Sequence, residues 1–193
     1  MTQILKQEIT KFVNLTEEQI NDFSDAFTIK NIPKKKYVLQ SGEICRFEGF
    51  VIKGLFKIYH INDLGKEHII YFASEGWWLL DAKSFYSQTP SELYMQAIED
   101  SEVLMINKAD KEKIIDRIPE LNKMYRLVLE HITATLQNRF IVKSGKTAEE
   151  RYTEFLETFP QLNNRLTNIQ IAAYLDIAHE TVSKIRNSIT KGK

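Results

Sequence analysis

The segment that decides the fold runs from Leu166 to Ile185 and reads LTNIQIAAYLDIAHETVSKI. Its Thr167 is followed three residues later by Gln170, and this Thr-x-x-Gln capping box predicts the first turn of a helix. Apolar residues then recur at helical spacing in two short stretches, which predicts two amphipathic helices joined by a short turn. The predicted buried faces consist of Ile171, Ala172 and Leu175 in the first helix and of Val182 and Ile185 in the second.

Two helices that cross closely at a tight turn are typical of a helix-turn-helix, whose second helix lies in the major groove of DNA. The small side chain of Ala172 favours this close crossing. Asp176 is less favourable, because it stands where such turns prefer glycine. Ala178 stands where a serine or threonine would cap the second helix, at an expected cost of about 1 kcal/mol. The pattern alone therefore leaves open an ordinary helical hairpin with a solvated charged face.

The exposed side of the second helix fits DNA. Residues at i, i+1, i+4 and i+5 share that side, and we expect them to contact base edges: His179, Glu180, Ser183 and Lys184. Glutamate accepts from cytosine N4, lysine donates to guanine O6 and N7, and serine meets several edges. A further set is expected to contact phosphates: Thr167, Thr181, Arg186 and Lys191. From residue 161 onward, five Lys and Arg residues stand against two Asp and Glu residues, a modest basic excess in a neutral chain.

Composition limits the class of protein. The chain has 193 residues with 26 basic, 26 acidic and 43% hydrophobic, which are ordinary values for a globular protein. No apolar run reaches the ~18 residues of a membrane span, and the N-terminus lacks the long apolar core of a secretory signal. Cys45 is the only cysteine, which excludes an internal disulfide and a cysteine-ligated cluster within one chain. We therefore expect a cytoplasmic protein in which Cys45 is a partly buried strand residue, with a redox-sensing thiol as the alternative.

The N-terminal half predicts a β-roll. Residues 16–19 form a second capping box, which opens a short predicted helix that ends at about Phe27. From residue 28 to residue 106, β-branched and aromatic residues alternate with polar ones, which is typical of short strands in a jelly roll or β-sandwich. The clearest hairpin turn is Asn62-Asp63-Leu64-Gly65. Turn glycines recur at spacings of 12, 11 and 11 residues: Gly42, Gly54, Gly65 and Gly76.

A long helix is predicted after the roll. Helical spacing returns at Lys108, and the segment from Pro119 to about Val142 has no glycine and no further proline, which predicts a helix spanning ~36 Å. One apolar stripe has the spacing of a coiled-coil seam: Ile118, Leu121, Tyr125, Val128, Ile132 and Thr135. A second stripe consists of Leu129, Leu136 and Phe140.

The two stripes need two partners. We predict that the first stripe forms a homodimer interface through Leu121, Tyr125, Val128 and Ile132, and that the second stripe packs on the roll. Packing of both stripes within one chain is the alternative. Because the spacing of the first stripe is that of a coiled-coil seam, we place dimerisation ahead.

These patterns predict an α+β protein of three parts. An N-terminal β-roll sensor domain, or double-stranded jelly roll, occupies residues 1–118. A central dimerisation helix occupies residues 119–144, with a hinge predicted at Lys143-Ser144-Gly145-Lys146. A C-terminal helix-turn-helix domain occupies residues 145–193, and a third capping box at residues 147–150 opens its first helix.

Several stretches resemble the Crp/Fnr family of bacterial transcription regulators, and together they cover nearly the whole chain. They are Ser41-Gly42-Glu43, Phe50-Val51-Ile52-Lys53-Gly54-Leu55-Phe56-Lys57-Ile58-Tyr59, Asp63-Leu64-Gly65-Lys66-Glu67, Glu75-Gly76 and His179-Glu180-Thr181-Val182-Ser183-Lys184. The last is similar to the family's R-E-T-V-x-R recognition helix, and Glu180, Ser183 and Lys184 are similar to the Fnr-type E-x-x-S-R set. The resemblance implies a cyclic-nucleotide-binding-like roll, a homodimer on a two-fold symmetric operator, a half-site similar to TTGAT, and RNA polymerase as a partner.

One departure from the family concerns cyclic nucleotides. In members that bind cyclic AMP, a G-E-L segment binds the ribose through its Glu, and an R-S or R-T pair about ten residues later binds the phosphate. Here Asp81 stands at the Glu position, and Ser91 and Glu92 stand at the positions of the pair, with Lys83 as the nearest cation. A buried phosphate without a cation is costly. We therefore expect no cyclic nucleotide to bind, although another small-molecule effector remains compatible with the sequence.

The leading interpretation is a sequence-specific DNA-binding transcription regulator that is not an enzyme and has no cofactor or metal. A metal-dependent cupin enzyme has a similar roll, but its ligands are clustered, whereas the histidines here are scattered along the chain: His60, His68, His131 and His179. The alternative from another class is a ligand-responsive or protein-interaction module that has lost DNA binding.

Overall fold

The computed structural model describes residues 3–191, apart from the side chains of residues 139, 142–144 and 189–191. These residues form two compact units. The first unit comprises the residues up to His60 together with Ile70–Glu130, and the second comprises Ile61–Ile69 together with the residues from His131 onward. None of the helices within the described residues is both long and apolar enough to cross a membrane.

The roll consists of two four-stranded sheets. Its strands are β1 (Thr28–Ile32), β2 (Tyr37–Leu39), β3 (Phe47–Lys53), β4 (Phe56–Ile61), β5 (Glu67–Ala73), β6 (Trp78–Leu79), β7 (Tyr94–Ala97) and β8 (Ser101–Asn107). One sheet has the order β1-β8-β3-β6 and the other the order β2-β7-β4-β5. The pairings of β8 with β1 and β3, of β3 with β6, and of β7 with β2 and β4 are antiparallel. The predicted β-roll is confirmed.

Helices precede, interrupt and follow the strands of the roll. They are α1 (Gln3–Thr10), α2 (Glu17–Asp25), α3 (Ala82–Ser87), α4 (Lys108–Arg117) and α5 (Glu120–Gly145). The capping box that opens α2 is confirmed, because the Thr16 side chain accepts from the Gln19 amide and the Gln19 side chain accepts from the Thr16 amide. We did not predict α1 and α3, since each is short and buries only two side chains.

Strand β3 gives the roll two cores. Phe50 packs with Phe23 of α2 and Leu121 of α5, whereas the next residue, Val51, packs with Val103 in the core between the sheets. Successive side chains of a strand point to opposite faces. The β1-β8-β3-β6 sheet is therefore covered by helices on one face and by the second sheet on the other. Trp78 fills the helix-side core, with its ring 5.1 Å from that of Phe50.

The four predicted turn glycines all have positive φ angles, which confirms them as turn positions: Gly42, Gly54, Gly65 and Gly76. Gly54 carries the strictest requirement. Its φ is +100°, and a Cβ built on it would lie 2.1 Å from Ser101 Oγ. Both the left-handed backbone and the close approach exclude a side chain there. The hairpin turn is also confirmed, because Asn62 Oδ1 accepts from the amides of Leu64 and Lys66.

Cys45 is fully buried and lies two residues before β3, so it is a buried loop residue rather than the partly buried strand residue that we predicted. Its thiol donates to the Phe47 carbonyl at 3.2 Å. Burial raises the pKa of the Cys45 thiol. Because the thiolate is the reactive form, this environment favours a structural role over redox sensing.

Helix α5 has 26 residues and uses its two apolar stripes differently from our prediction. Leu121 and Tyr125 are 0% and 7% exposed and pack in the helix-side core of a single chain. Val128 is partly buried against the same core. In contrast, Ile132 of the first stripe is exposed, and so is the second stripe, which we had placed against the roll: Leu129, Leu136 and Phe140. Leu121 therefore has no exposed surface for a second chain and Tyr125 has very little, and their assignment to a dimer interface is corrected.

The second unit contains the predicted helix-turn-helix segment. Its helices after α5 are α6 (Ala148–Thr158), α7 (Asn168–Leu175) and α8 (His179–Lys191). The capping box that opens α6 is confirmed at Thr147 and Glu150. Helix α5 continues to Gly145, so the helix ends only at the last residues of the predicted hinge segment. The rings of Phe155, Phe159 and Tyr174 pack at centroid distances of 5.6–6.2 Å and join α6 to α7.

Candidate nucleic-acid interface

Helix α7 is fixed at both ends by side chains. At its start, Thr167 Oγ1 accepts from the Gln170 amide at 3.2 Å and the Gln170 side chain accepts from the Thr167 amide at 2.8 Å, so the predicted capping box is confirmed. At its end, Asp176 adopts the left-handed conformation with φ 54° and ψ 51°. Arg151 of α6 donates to the Leu175 carbonyl at 2.8 Å and so satisfies one of the last carbonyls of α7.

The side chain of Asp176 has partners of its own. Its carboxylate lies 3.2 Å from Lys66 Nζ and 3.6 Å from His68 Nδ1. Both belong to the segment Ile61–Ile69, which is part of the same unit. Aspartate tolerates a left-handed backbone better than most residues do, and this ion pair gives the position a use that glycine could not supply.

The packing of α7 against α8 follows the predicted apolar faces. All five of the predicted side chains are buried: Ile171, Ala172, Leu175, Val182 and Ile185. The amides of Asp176 and Ile177 both bond the Ala172 carbonyl, which closes the turn directly beneath the small residue. The two helices are therefore joined by a turn of three residues, as a helix-turn-helix requires.

The outer side of α8 carries the predicted base-reading residues. His179, Glu180 and Lys184 are exposed, and Ser183 is half-buried. His179 Nδ1 lies 3.4 Å from a Glu180 carboxylate oxygen. Asn187 is exposed one turn beyond Ser183, and we did not include it from the sequence. The helix thus presents donors and acceptors of the kind that read base edges.

The residues predicted to contact phosphates fall into three groups. Thr167 is exposed at the start of α7, and Thr181 is half-buried near the start of α8. The side chain of Lys191 lies outside the described residues. Arg186 is different, because its guanidinium is bonded within the unit and is turned away from the role that we predicted.

Arg186 is the centre of a polar network that joins α6, α7 and α8. Its Nε donates to Tyr152 Oη at 2.8 Å, and one terminal nitrogen donates to the Asn163 carbonyl and side-chain oxygens at 2.7 and 2.6 Å. The other terminal nitrogen donates to Asn168 Oδ1. Asn168 Nδ2 in turn donates to Ser183 Oγ at 2.9 Å. The polar partners of Arg186 were not predictable from the sequence, because asparagines in a loop and at a helix start have many other uses.

Comparisons with known proteins agree with this architecture. Residues 29–118 match the family model for the cyclic nucleotide-binding domain. The c-di-GMP responsive global regulator CLP of Xanthomonas campestris is 12% identical, with a TM-score of 0.74 over 92% of this chain and 93% of its own. FixK2 of Bradyrhizobium japonicum is 21% identical, with a TM-score of 0.72 over 86% and 85%. A protein from Eubacterium rectale described as a Crp/Fnr-family transcriptional regulator is 16% identical, with a TM-score of 0.71 over 92% and 85%.

The chain has the Crp/Fnr fold. At these identities, the solved structures establish the fold and not the details of function. No curated protein matches the sequence. CLP and the E. rectale protein are described as regulators. Among residues 3–191, no group of three or more His, Cys, Asp and Glu side chains is placed to hold a metal ion.

The residues that we predicted at the cyclic-nucleotide positions of the roll have polar partners within the chain. The buried Asp81 carboxylate caps α3 by accepting from the Ser84 amide at 3.1 Å, and it also accepts from Ser91 Oγ at 2.6 Å. Glu92 is exposed and pairs with Lys83 at 3.1 Å. Ser91, which we predicted to stand at the position of the phosphate-binding arginine, is therefore bonded to a carboxylate. A phosphate at this position would meet negative charge where it needs a cation.

Proposed function

We propose that the protein is a sequence-specific DNA-binding transcription regulator that acts as a homodimer on a two-fold symmetric operator. The observation that carries the proposal is the outer side of α8, where Glu180 and Lys184 are exposed while Val182 and Ile185 anchor the helix to α7. An acceptor and a donor side by side on a helix of this kind suit the pattern of base edges in the major groove.

The contacts with DNA divide into reading and positioning. In our proposal, His179, Glu180, Ser183 and Lys184 contact base edges. Thr167, Thr181 and Lys191 contact phosphates, and Arg186 leaves that set because its donors are engaged within the unit. RNA polymerase is the protein partner and the cytoplasm the location that we propose from the resemblance to the family.

The proposed dimer interface is revised to the exposed apolar side of α5. Ile132 and Leu136 are 36% and 44% exposed, one helical turn apart, and neither belongs to the two core clusters of the roll. Apolar residues that repeat along an exposed helix face are suited to pack against the same face of a second copy. Val128, which is partly buried, remains at the edge of the proposed interface.

The roll is proposed to act without a cyclic nucleotide. The hydrogen bond between Asp81 and Ser91 supports this, because both polar groups are satisfied within the chain and neither offers a phosphate a positive charge. An effector of other chemistry is compatible with the proposal.

The experiment that tests DNA reading compares two variants. Glu180→Ala should relax the preference at one base pair, because a carboxylate that accepts from cytosine N4 is worth about 1–3 kcal/mol of discrimination. Lys191→Ala should weaken binding to all sequences alike. It should also make the slope of the logarithm of the binding constant against the logarithm of the salt concentration shallower by about one unit. Titration of both variants against matched duplexes at several salt concentrations separates the two effects. If Glu180→Ala leaves base preference unchanged, α8 does not read bases, and a protein-interaction module becomes the better interpretation.

A further inference from the structure

We propose that Asn168 fixes the hydrogen-bonding direction of Ser183, so that Ser183 faces DNA as a donor and selects a base that offers an acceptor. Asn168 is thus a positioning residue that acts on specificity through a neighbour. The inference rests on the proposed function, because it specifies how one of the four base-reading residues of α8 works.

The first step concerns the orientation of the Asn168 amide. Arginine has only donors, so the group of Asn168 that faces Arg186 must be its carbonyl oxygen. Arg186 cannot rotate away without breaking its bonds to Tyr152 and Asn163. The amide is therefore held with Oδ1 toward the guanidinium and with Nδ2 toward α8.

The second step concerns the Ser183 hydroxyl. Asn168 Nδ2 donates to Ser183 Oγ at 2.9 Å, and an amide NH₂ group can only donate. A serine hydroxyl has one proton and two lone pairs, and this bond uses one of the lone pairs. Within the described part of the chain, no acceptor receives the Ser183 proton, which leaves it for a ligand.

The third step concerns base recognition. In the major groove, guanine N7 and O6, adenine N7 and thymine O4 are acceptors, whereas cytosine offers only its N4 amino donor. An unrestrained serine can meet either kind of edge. A serine that is held as a donor discriminates against cytosine on the strand that it faces. The Arg186–Asn168–Ser183 chain therefore converts a permissive residue into a selective one.

Asn168→Asp tests the inference with almost no change of shape. The new carboxylate still accepts from Arg186, but it has no proton to donate, so Ser183 donates to it and faces DNA as an acceptor. Selection from random duplex DNA should show one position at which the preference moves roughly tenfold toward cytosine or adenine, the bases with amino donors. The added negative charge should weaken binding to all sequences alike and leave the base preference at the other positions unchanged.

Two further variants keep the test decisive. Ser183→Ala is made both in the wild type and in Asn168→Asp. The two resulting proteins should have the same base preference at that position. Asn168→Ala releases the hydroxyl, so discrimination against cytosine should weaken without reversing, and this variant replaces Asn168→Asp if thermal melting shows the latter to be unfolded. Identical preferences in folded wild type and Asn168 variants would overturn the inference while DNA reading stands. If the wild type itself selects no sequence, the proposed function fails instead.

Discussion

Arg186 shows how a basic residue in a proposed DNA-reading helix can bond within the protein instead of contacting DNA. Sequence position alone suggested a phosphate contact, because Arg186 follows Lys184 in a basic segment. Its partners Tyr152, Asn163 and Asn168 are 34, 23 and 18 residues away along the chain. A planar fork with five donors can bond all of them, which a lysine cannot do.

Arg186→Lys should therefore destabilise the second unit. A lysine would leave oxygens of Tyr152 or Asn163 without a donor, at a cost of about 1–3 kcal/mol in the free energy of unfolding. Thermal unfolding followed by circular dichroism measures this. Lys184→Met is the matched control, since its exposed side chain should change stability by less than about 0.5 kcal/mol. If Arg186→Lys is as stable as the wild type but binds all DNA sequences more weakly, the original prediction that Arg186 contacts a phosphate would be correct.

At the scale of elements, local signals in the sequence were sufficient for most of the fold. The three capping boxes and the turn glycines were predictable, because each depends on residues within one turn of one another. The assignment of the α5 stripes was wrong at Leu121 and Tyr125, because both stripes have helical spacing and only tertiary contacts decide which is covered. Helix α3 was missed because it has only six residues and buries only two side chains, too few for a helical pattern in the sequence.

The exposed face of α5 gives a prediction about assembly. Ile132→Asp combined with Leu136→Asp would place like charges against each other across the two-fold axis, so equilibrium sedimentation should show a monomer. His131→Asp with Asn138→Asp lies on the opposite side of the helix, and this control should remain a dimer. A wild type that is monomeric at all concentrations, or a double variant that stays dimeric, would contradict the revised interface.

The capping box of α6 gives a prediction about pH. Hydrogen bonds from the Thr147 amide and hydroxyl to the carboxylate lower the pKa of Glu150. A carboxyl whose pKa is lower in the folded than in the unfolded state stabilises the fold above the unfolded pKa, and this contribution is lost as the pH falls through the folded pKa. Glu150→Gln keeps an acceptor that does not titrate.

The thermal midpoint of Glu150→Gln should consequently fall less than that of the wild type between about pH 5 and pH 3. Glu149→Gln removes the same charge from the same helical turn and is the control, which should follow the wild type more closely. If the thermal midpoints of the wild type and Glu150→Gln fall in parallel as the pH is lowered, the Glu150 carboxylate does not form its hydrogen bonds to Thr147 in solution.

At the scale of the whole molecule, the order of parts was readable because each part has its own periodicity. Strands alternate with a period of two residues and helices with 3.6, so the roll, the long helix and the helix-turn-helix are distinct along the chain. The polar network behind α8 was not readable, because it joins residues from three helices and a loop. In the proposed function, α8 is the recognition helix, and the polar network orients the hydroxyl of Ser183 on that helix.

The most direct test of the account is selection of bound sequences from random duplex DNA by the wild-type chain, with the mass of the complex measured on the selected duplex. We predict an inverted repeat whose half-sites are centred about 10 base pairs apart, with two chains bound per duplex. Each half-site should contain one cytosine and one guanine that contribute most to specificity, through Glu180 and Lys184. Enrichment of no sequence, or of a site without two-fold symmetry that binds one chain, would contradict the claim that a dimer reads DNA through α8.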